Sequence, residues 1–179
     1  VLLVSDLHSN PVGIELCKSL AARFKVDFLI NVGDLTDMGL QLETNATQEL
    51  GAVGVPQLFV AGNHDSPETI NFVAGLPDSR VLDGQMFTLK DVKVLGFAHP
   101  LSAVPAVEYE SPEEEEEAYK KQMARIEEAV LAQGRPDILV VHESRLGKEL
   151  IPLAGLVVAG HDHRIRIEEG PDGVLVNPG

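Results

Sequence analysis

Six histidines punctuate the chain, and five of them stand among carboxylates and amides in short clusters. In order these are Asp6-Leu7-His8, Gly33-Asp34 through Asp37, Gly62-Asn63-His64-Asp65, His142, and Gly160-His161-Asp162-His163; only His99 falls outside the set. Asp6, His8, Asp34, Asn63, His142, His161 and His163 offer mixed imidazole, carboxylate and amide donors. That mixture suits Mn²⁺, Fe or Zn²⁺ better than Ca²⁺ or Mg²⁺ alone. One ion takes about four to six donors. Two ions about 3.5–4 Å apart, sharing one carboxylate, would use all of these together with water. The i, i+2 spacing of Asp6 with His8, and of His161 with His163, puts both side chains on one side of an extended strand end. Each cluster taken alone has a plainer reading: a stray Asp-x-His, a turn with a helix cap, a core histidine. Their shared position argues against that.

Each cluster directly follows a short apolar run: VLLVS, VDFLINV, QLFVA, DILVV and LVVA. Apolar runs that end in ligand-type residues read as the carboxyl edge of a sheet, where parallel strands deliver distant side chains to one crevice. The remaining pattern supplies the connections. Asn10-Pro11 is a cap and first-turn proline, and Ile14, Cys17, Ala21 and Phe24 recur at helical spacing, so a helix is predicted over 11–24. A second helix is predicted from about Leu40 to Leu50, ended by Gly51, Gly54 and Pro56. Ser66-Pro67-Glu68 starts a third, to about Ala74, and Asp65 reads as part of that helix start. Gln85–Lys90 and Val92–Phe97 suggest an antiparallel hairpin about Asp91. Phe97–Tyr109 reads as a loop. Ser111-Pro112-Glu113-Glu114 opens a long helix whose acids sit at its positive end and whose stripe is Tyr119, Met123, Ile126 and Val130. A short helix is expected near Leu146–Ile151. Arg164–Ile167 alternates strictly, and with Val174–Val176 across the Gly170-Pro171-Asp172-Gly173 turn it makes a second hairpin. These elements fit two facing sheets with helices outside, or one mixed sheet. No internal repeat is present.

Composition narrows the function. A chain of 179 residues suits one domain with a real core, and 44% hydrophobic residues with 4% aromatic and no Trp make that core aliphatic. The net charge of −14 argues against a nucleic-acid backbone footprint, which needs clustered Lys and Arg. It leaves phosphate substrates open, because bound divalent cations supply positive charge. The single Cys17 gives neither an internal disulfide nor a cysteine zinc site. No apolar run approaches the roughly 18–20 residues of a membrane span. The chain starts within a strand-like run and stops at Asn177-Pro178-Gly179 behind another, which reads as a domain cut from a longer protein.

The series Asp-x-His, Gly-Asp-x-x-Asp, Gly-Asn-His-Asp, lone His and Gly-His-x-His resembles the calcineurin-like metallophosphoesterase superfamily, from Asp6 to His163. The resemblance implies a four-layer αββα sandwich of two mixed β-sheets flanked by helices, with two divalent metal ions at the strand ends. It implies Asp6, His8, Asp34 and His163 on one ion, Asp34 as the bridge, and Asn63, His142 and His161 on the other. His64 matches the catalytic histidine, and Asp37 matches the carboxylate that pairs with it in phosphatase relatives. Physically, two cations would lower the pKa of a shared water, and the resulting hydroxide would attack phosphorus while His64, oriented by Asp37 or Asp65, protonates the leaving oxygen. A small-molecule phosphoester, mono- or diester, is the expected substrate. A non-catalytic scaffold and a nuclease are the competing readings. His99, read mainly as an ordinary loop residue, and Arg145 with Lys148 are candidate substrate contacts, and the loops Phe97–Tyr109 and Asp37–Thr44 are expected to set specificity. VSDLHSNPVGIEL, GDLTDMG and GNHDSP further resemble catalytic domains attached to bacterial membrane segments, so tethering through segments beyond these residues and a cytoplasmic location both stay open.

Overall fold

The structure, a computed structural model, describes residues 1–105 and 107–179; Ala106, inside the loop expected over Phe97–Tyr109, lies outside the described residues. Four strands, β1 (Leu2–Val4), β2 (Leu29–Asn31), β3 (Gln57–Phe59) and β4 (Ser79–Val81), lie in that order in one all-parallel sheet. They are joined by helices α1 (Pro11–Phe24), α2 (Gln41–Ala46) and α3 (Pro67–Gly75). The second sheet contains β5 (Met86–Leu89), β6 (Val92–Phe97), β7 (Ile138–Val141), β8 (Leu156–Val158), β9 (Arg166–Glu169) and β10 (Val174–Asn177). Its order is β5-β6-β7-β8-β10-β9, with β5 and β9 antiparallel at the two edges. Only this second sheet is mixed. Helix α4 (Pro112–Gln133) joins β6 to β7, and the short α5 (Gly147–Leu150) precedes β8.

Alternation along the strands separates the layers. Leu29 and Phe59 pack outward with Ile14, Cys17 and Ala21 of α1 and Val73 of α3. Their neighbours Ile30, Leu58 and Val60 face inward, where they meet Val94, Ile138, Val140 and Val158 of the second sheet. Leu139, Val141 and Val157 turn the other way, against Tyr119 and Ile126 of α4 and Leu150 of α5. Three buried clusters between four layers make an αββα sandwich. Fully burying one aliphatic side chain is worth about 1.5–3 kcal/mol, so Val, Leu and Ile can hold these layers without Trp.

The helix starts follow their sequence signals. Asn10 Oδ1 accepts from the Val12 and Gly13 N–H groups at 3.0 and 3.3 Å, and the Ser66 and Ser111 hydroxyls each accept from the N–H three residues on, at 3.2 Å. The β5–β6 hairpin turns on Lys90 and Asp91, both at positive φ, the geometry a two-residue turn demands.

Three elements depart from expectation. Helix α2 stops at Ala46 and passes into a 3₁₀ turn, Gln48–Ala52, because the Thr47 hydroxyl donates back to the Thr44 carbonyl at 2.7 Å. Strand β4 has no counterpart in the sequence reading: Ser79-Arg80-Val81 is too short and polar for a hydrophobic pattern, and it lies at a sheet edge. The Arg164–Ile167 alternation yields a strand only from Arg166, and Ile165 and Ile167 remain 84% and 69% exposed rather than buried.

Candidate metal centre

The parallel strands of both sheets end along one edge, and the loops beyond them are laced together. Asp6 N–H donates to the Gly33 carbonyl and His8 N–H to the Asp34 carbonyl, both at 3.0 Å; Gly160 N–H donates to the His142 carbonyl at 2.9 Å. Two groups of donors result. Asp6, His8 and His163 each offer an atom within 4.8 Å of the others, as do Asp34, His142 and His161. In the first, His8 Nε2 lies 3.3 Å and Asp6 Oδ1 3.4 Å from His163 Nε2. In the second, His142 Nε2 lies 3.1 Å from Asp34 Oδ2, and Asn63 Oδ1 joins at 3.1 Å from His161 Nδ1. Asp34, expected as the bridge, stands with the second group.

These donors fit metal ions. Two donors each about 2.1 Å from one ion, at tetrahedral or octahedral angles, stand roughly 3.0–3.4 Å apart, which is the spacing seen. Asp6 Oδ1 and His142 Nε2 are buried with no hydrogen-bond partner among the described residues, a costly state unless a cation completes it.

The convergence does not come from the strand pleat. Asp6, His8, Asp34, His161 and His163 all have left-handed backbones, with φ of 55°, 43°, 52°, 72° and 52°. Non-glycine residues seldom adopt this region, and such strain gathers at functional sites. Sharp turns past the strand ends, rather than extended i, i+2 geometry, bring Asp6 beside His8, and they send His161 and His163 to different groups instead of to one side as their spacing suggested.

Asp65 holds these turns. Its carboxylate is fully buried, with Oδ2 accepting from the Asp34 and Gly62 N–H groups at 2.9 Å and Oδ1 from Leu35 and Thr36 at 3.0 and 3.3 Å. It caps no helix, since Ser66 does that, and it does not orient His64. Burial, with the Asp34 charge nearby, pushes its carboxyl up to about 6. The two loops can close so tightly because glycines meet there: a Cβ on Gly62 would lie 2.0 Å from Asp34 Oδ1, and one on Gly33 would lie 2.7 Å from His142 Nδ1.

Burial opposes charge on both Asp34 and His142. Their contact outweighs it, holding the Asp34 carboxyl well below the usual range and the His142 ring above its own. His142 Nδ1 donates to the Val32 carbonyl at 2.8 Å, leaving Nε2 for the centre. His64 Nδ1 lies 2.5 Å from the Asp37 backbone carbonyl, and the His64 backbone N–H donates to Asp34 Oδ1 at 3.0 Å. The Asp37 carboxylate faces His8 Nδ1 instead, at 3.2 Å. Asp37 thus meets His64 through its main chain, not through the side-chain pairing the resemblance implied.

His99 is no ordinary loop residue. It is 3% exposed, its ring stacks on His161 with centroids 5.8 Å apart, and burial lowers its pKa. With Asn63, His161, Tyr109 and Tyr119 it lines a cleft of about 420 Å³. The Arg145 guanidinium pairs with Glu115 at 2.5 Å and lies over the Tyr119 ring. The two loops expected to set specificity touch, since Pro105 Cγ is 2.8 Å from where a Gly39 Cβ would be. Sequence reading missed Glu143. It is fully buried, accepts from the Tyr119 hydroxyl at 2.6 Å, and lies 3.8 Å from both His99 Nε2 and His161 Nε2. Its signal was its place: an acid directly after a buried strand and a ligand-type histidine.

The sequence matches the calcineurin-like phosphoesterase superfamily domain over residues 1–179. The chain belongs to that superfamily. Among solved structures it is similar to TT1561 of Thermus thermophilus, with TM-score 0.71 and 17% identity, covering 99% of this chain and 88% of that one. A novel archaeal phosphodiesterase aligns with TM-score 0.56 and 16% identity over 99% and 81% of the two chains. The E. coli phosphoesterase YfcE aligns with TM-score 0.58 and 17% identity over 99% and 78%. At these identities the likeness is one of fold. No curated protein matches the sequence. Among the described residues, no helix is long and apolar enough to cross a membrane.

Proposed function

We propose that this chain hydrolyses a small phosphoester, mono- or diester, at a dinuclear metal centre. The observation that carries the reading is the pair of donor groups spanning both sheets, with His64 fastened beside them. Asp6, His8 and His163 would hold one divalent ion, and Asn63, His142 and His161 the other, with Asp34 shared between them. Bound there, Mn²⁺, Fe or Zn²⁺ would supply Lewis acidity toward phosphoryl oxygens and toward water. The chain's own groups do the rest. The Asp37 carboxylate steadies His8 from behind, as carboxylates steady many ligand histidines. The Asp37 carbonyl can only accept, so His64 Nδ1 carries a proton and Nε2 is the ring nitrogen left to handle a second one. Protonated, Nε2–H donates to the leaving oxygen and moves its proton there as the P–O bond breaks. The Asp34–His64 contact ties this acid to the donors that position the phosphate.

The test is hydrolysis of p-nitrophenyl phosphate and bis-p-nitrophenyl phosphate with Mn²⁺, with and without chelator. Metal-dependent turnover of either ester is expected, and its absence in a metal-loaded sample overturns the reading in favour of a scaffold. His64→Ala should keep metal, measured by elemental analysis, and lose roughly 100- to 10,000-fold in turnover. Full turnover would remove His64 from the mechanism.

A further inference from the structure

Cations are scarce in this chain, 14 against 28 acids, yet four of them face one cleft. Arg145, Lys148, Arg164 and Arg166 line a depression of about 340 Å³ that also includes His161 in its wall. His161 belongs to the second donor group, so the cleft adjoins the metal centre. The cations come from two separate segments: Arg145 and Lys148 from the turn and helix α5 after β7, and Arg164 and Arg166 from the start of β9 and the residues before it. Two acids, Glu143 and Asp162, share the lining, and with Glu115 and Glu168 beside it they meet every one of these cations but Arg164.

The acids that engage these side chains leave donors unused. Arg145 pairs with Glu115 from outside the cleft at 2.5 Å, Lys148 with Glu168 at 3.0 Å, and Arg166 with Asp162 and with Glu168. A guanidinium carries five N–H donors and an ammonium three, so contact with one or two carboxylates orients these groups without exhausting them. Arg164 is exposed and makes no ion pair among the described residues. A cleft that presents several oriented donors and one free guanidinium, beside a centre that binds phosphoryl oxygens, is built for a further set of anionic oxygens.

We propose that the cleft holds a second anionic group of the substrate, a phosphate or carboxylate on the part of the molecule away from the scissile phosphorus. This rests on the phosphoesterase reading and narrows its substrate class to phosphoesters that are anionic at two places. Arg164 is the principal contact, supported by Arg166, Lys148 and Arg145.

The experiment compares non-hydrolysable probes by calorimetric titration into the Mn²⁺-loaded protein. One is an alkyl phosphonate; the others are alkane bisphosphonates of graded spacer length. At one spacer length the bisphosphonate should bind about tenfold more tightly, the yield of a charge-assisted contact. In Arg164→Gln, a change at an exposed site, that ratio should fall to about threefold or less. Raising the ionic strength should shrink it as well, because the cleft is open to solvent. If no spacer length improves on the alkyl phosphonate, or if the gain survives in both Arg164→Gln and the Arg164→Gln, Arg166→Gln double variant, the second site is absent. If the alkyl phosphonate itself does not bind the metal-loaded protein, the phosphoesterase reading falls and takes this proposal with it.

Discussion

At the scale of single residues, Glu143 shows how an acid can be buried beside a histidine cluster. His161 turns Nδ1 toward Asn63 Oδ1 at 3.1 Å and holds Nε2 3.8 Å from a Glu143 carboxylate oxygen, close enough for the carboxylate charge to act on the ring. His99 accepts the Leu101 N–H on Nδ1 at 3.1 Å, which leaves its ring proton on Nε2, 3.8 Å from Glu143. Burial alone would raise the Glu143 carboxyl. The contacts with His99 and the Tyr119 hydroxyl, with the Arg145 N–H, overcome burial and hold it at about 2, against an ordinary 4.5. A depressed carboxyl contributes stability above its unfolded value and loses it as pH falls toward its folded value. Glu143→Gln should therefore cost on the order of 2–3 kcal/mol near neutrality, with the difference closing as pH drops through the window from about 4.5 to about 2. Urea unfolding of the chelator-treated wild type and variant across that range checks this. A difference that does not change with pH would mean the carboxylate is not charged in the fold.

At the scale of elements, strands and helices were legible because their signals are local, whereas the turns that make the site were not. Runs such as DILVV announce a buried strand, and Asn10-Pro11, Ser66-Pro67 and Ser111-Pro112 announce helix starts; each signal lies within the element it marks. The left-handed backbones at Asp6, His8, Asp34, His161 and His163 follow instead from loops folding over one another, and no neighbouring residue encodes them. Asp65 is the clearest instance. Its place before Ser66 suggested a cap, but three of its four backbone partners lie 29 to 31 residues away, in the loop after β2. That role gives a sharp expectation. In Asp65→Asn one amide oxygen remains as acceptor, while the NH₂ group is set against two of the four backbone N–H groups. Leaving two buried donors unpaired costs about 2–4 kcal/mol. Denaturant unfolding should show that loss, together with weaker metal binding as the Asp34 turn relaxes. A variant as stable as wild type would mean the clasp is dispensable.

At the scale of the whole molecule, the candidate centre is a fastening between sheets. Asp6 and His8 hang from the first sheet and His163 from the second; Asp34 and Asn63 face His142 and His161 in the same way. The motif series in the sequence revealed the donors in order, and the resemblance implied a site between the two sheet edges; spacing alone could not draw each group from both sheets, because that depends on how the layers stack. Apart from the centre, the sheets meet through the aliphatic cluster of Ile30, Val32, Leu58, Val140 and Val158, and through His142 Nδ1 donating to the Val32 carbonyl. An ion that binds this assembled arrangement and not the unfolded chain must stabilise the whole sandwich. At a free concentration a hundredfold above its Kd, one ion contributes about 2.7 kcal/mol. For a chain of this size that should raise Tm by roughly 5–10 °C. The rise should follow the logarithm of Mn²⁺ concentration, reverse with chelator, and shrink in His142→Ala, which removes a second-sheet donor while the first-sheet donors stay. Thermal unfolding monitored by circular dichroism, beside elemental analysis of bound metal, decides the matter. A Tm indifferent to stoichiometrically bound ion would mean that binding does not draw on both sheets.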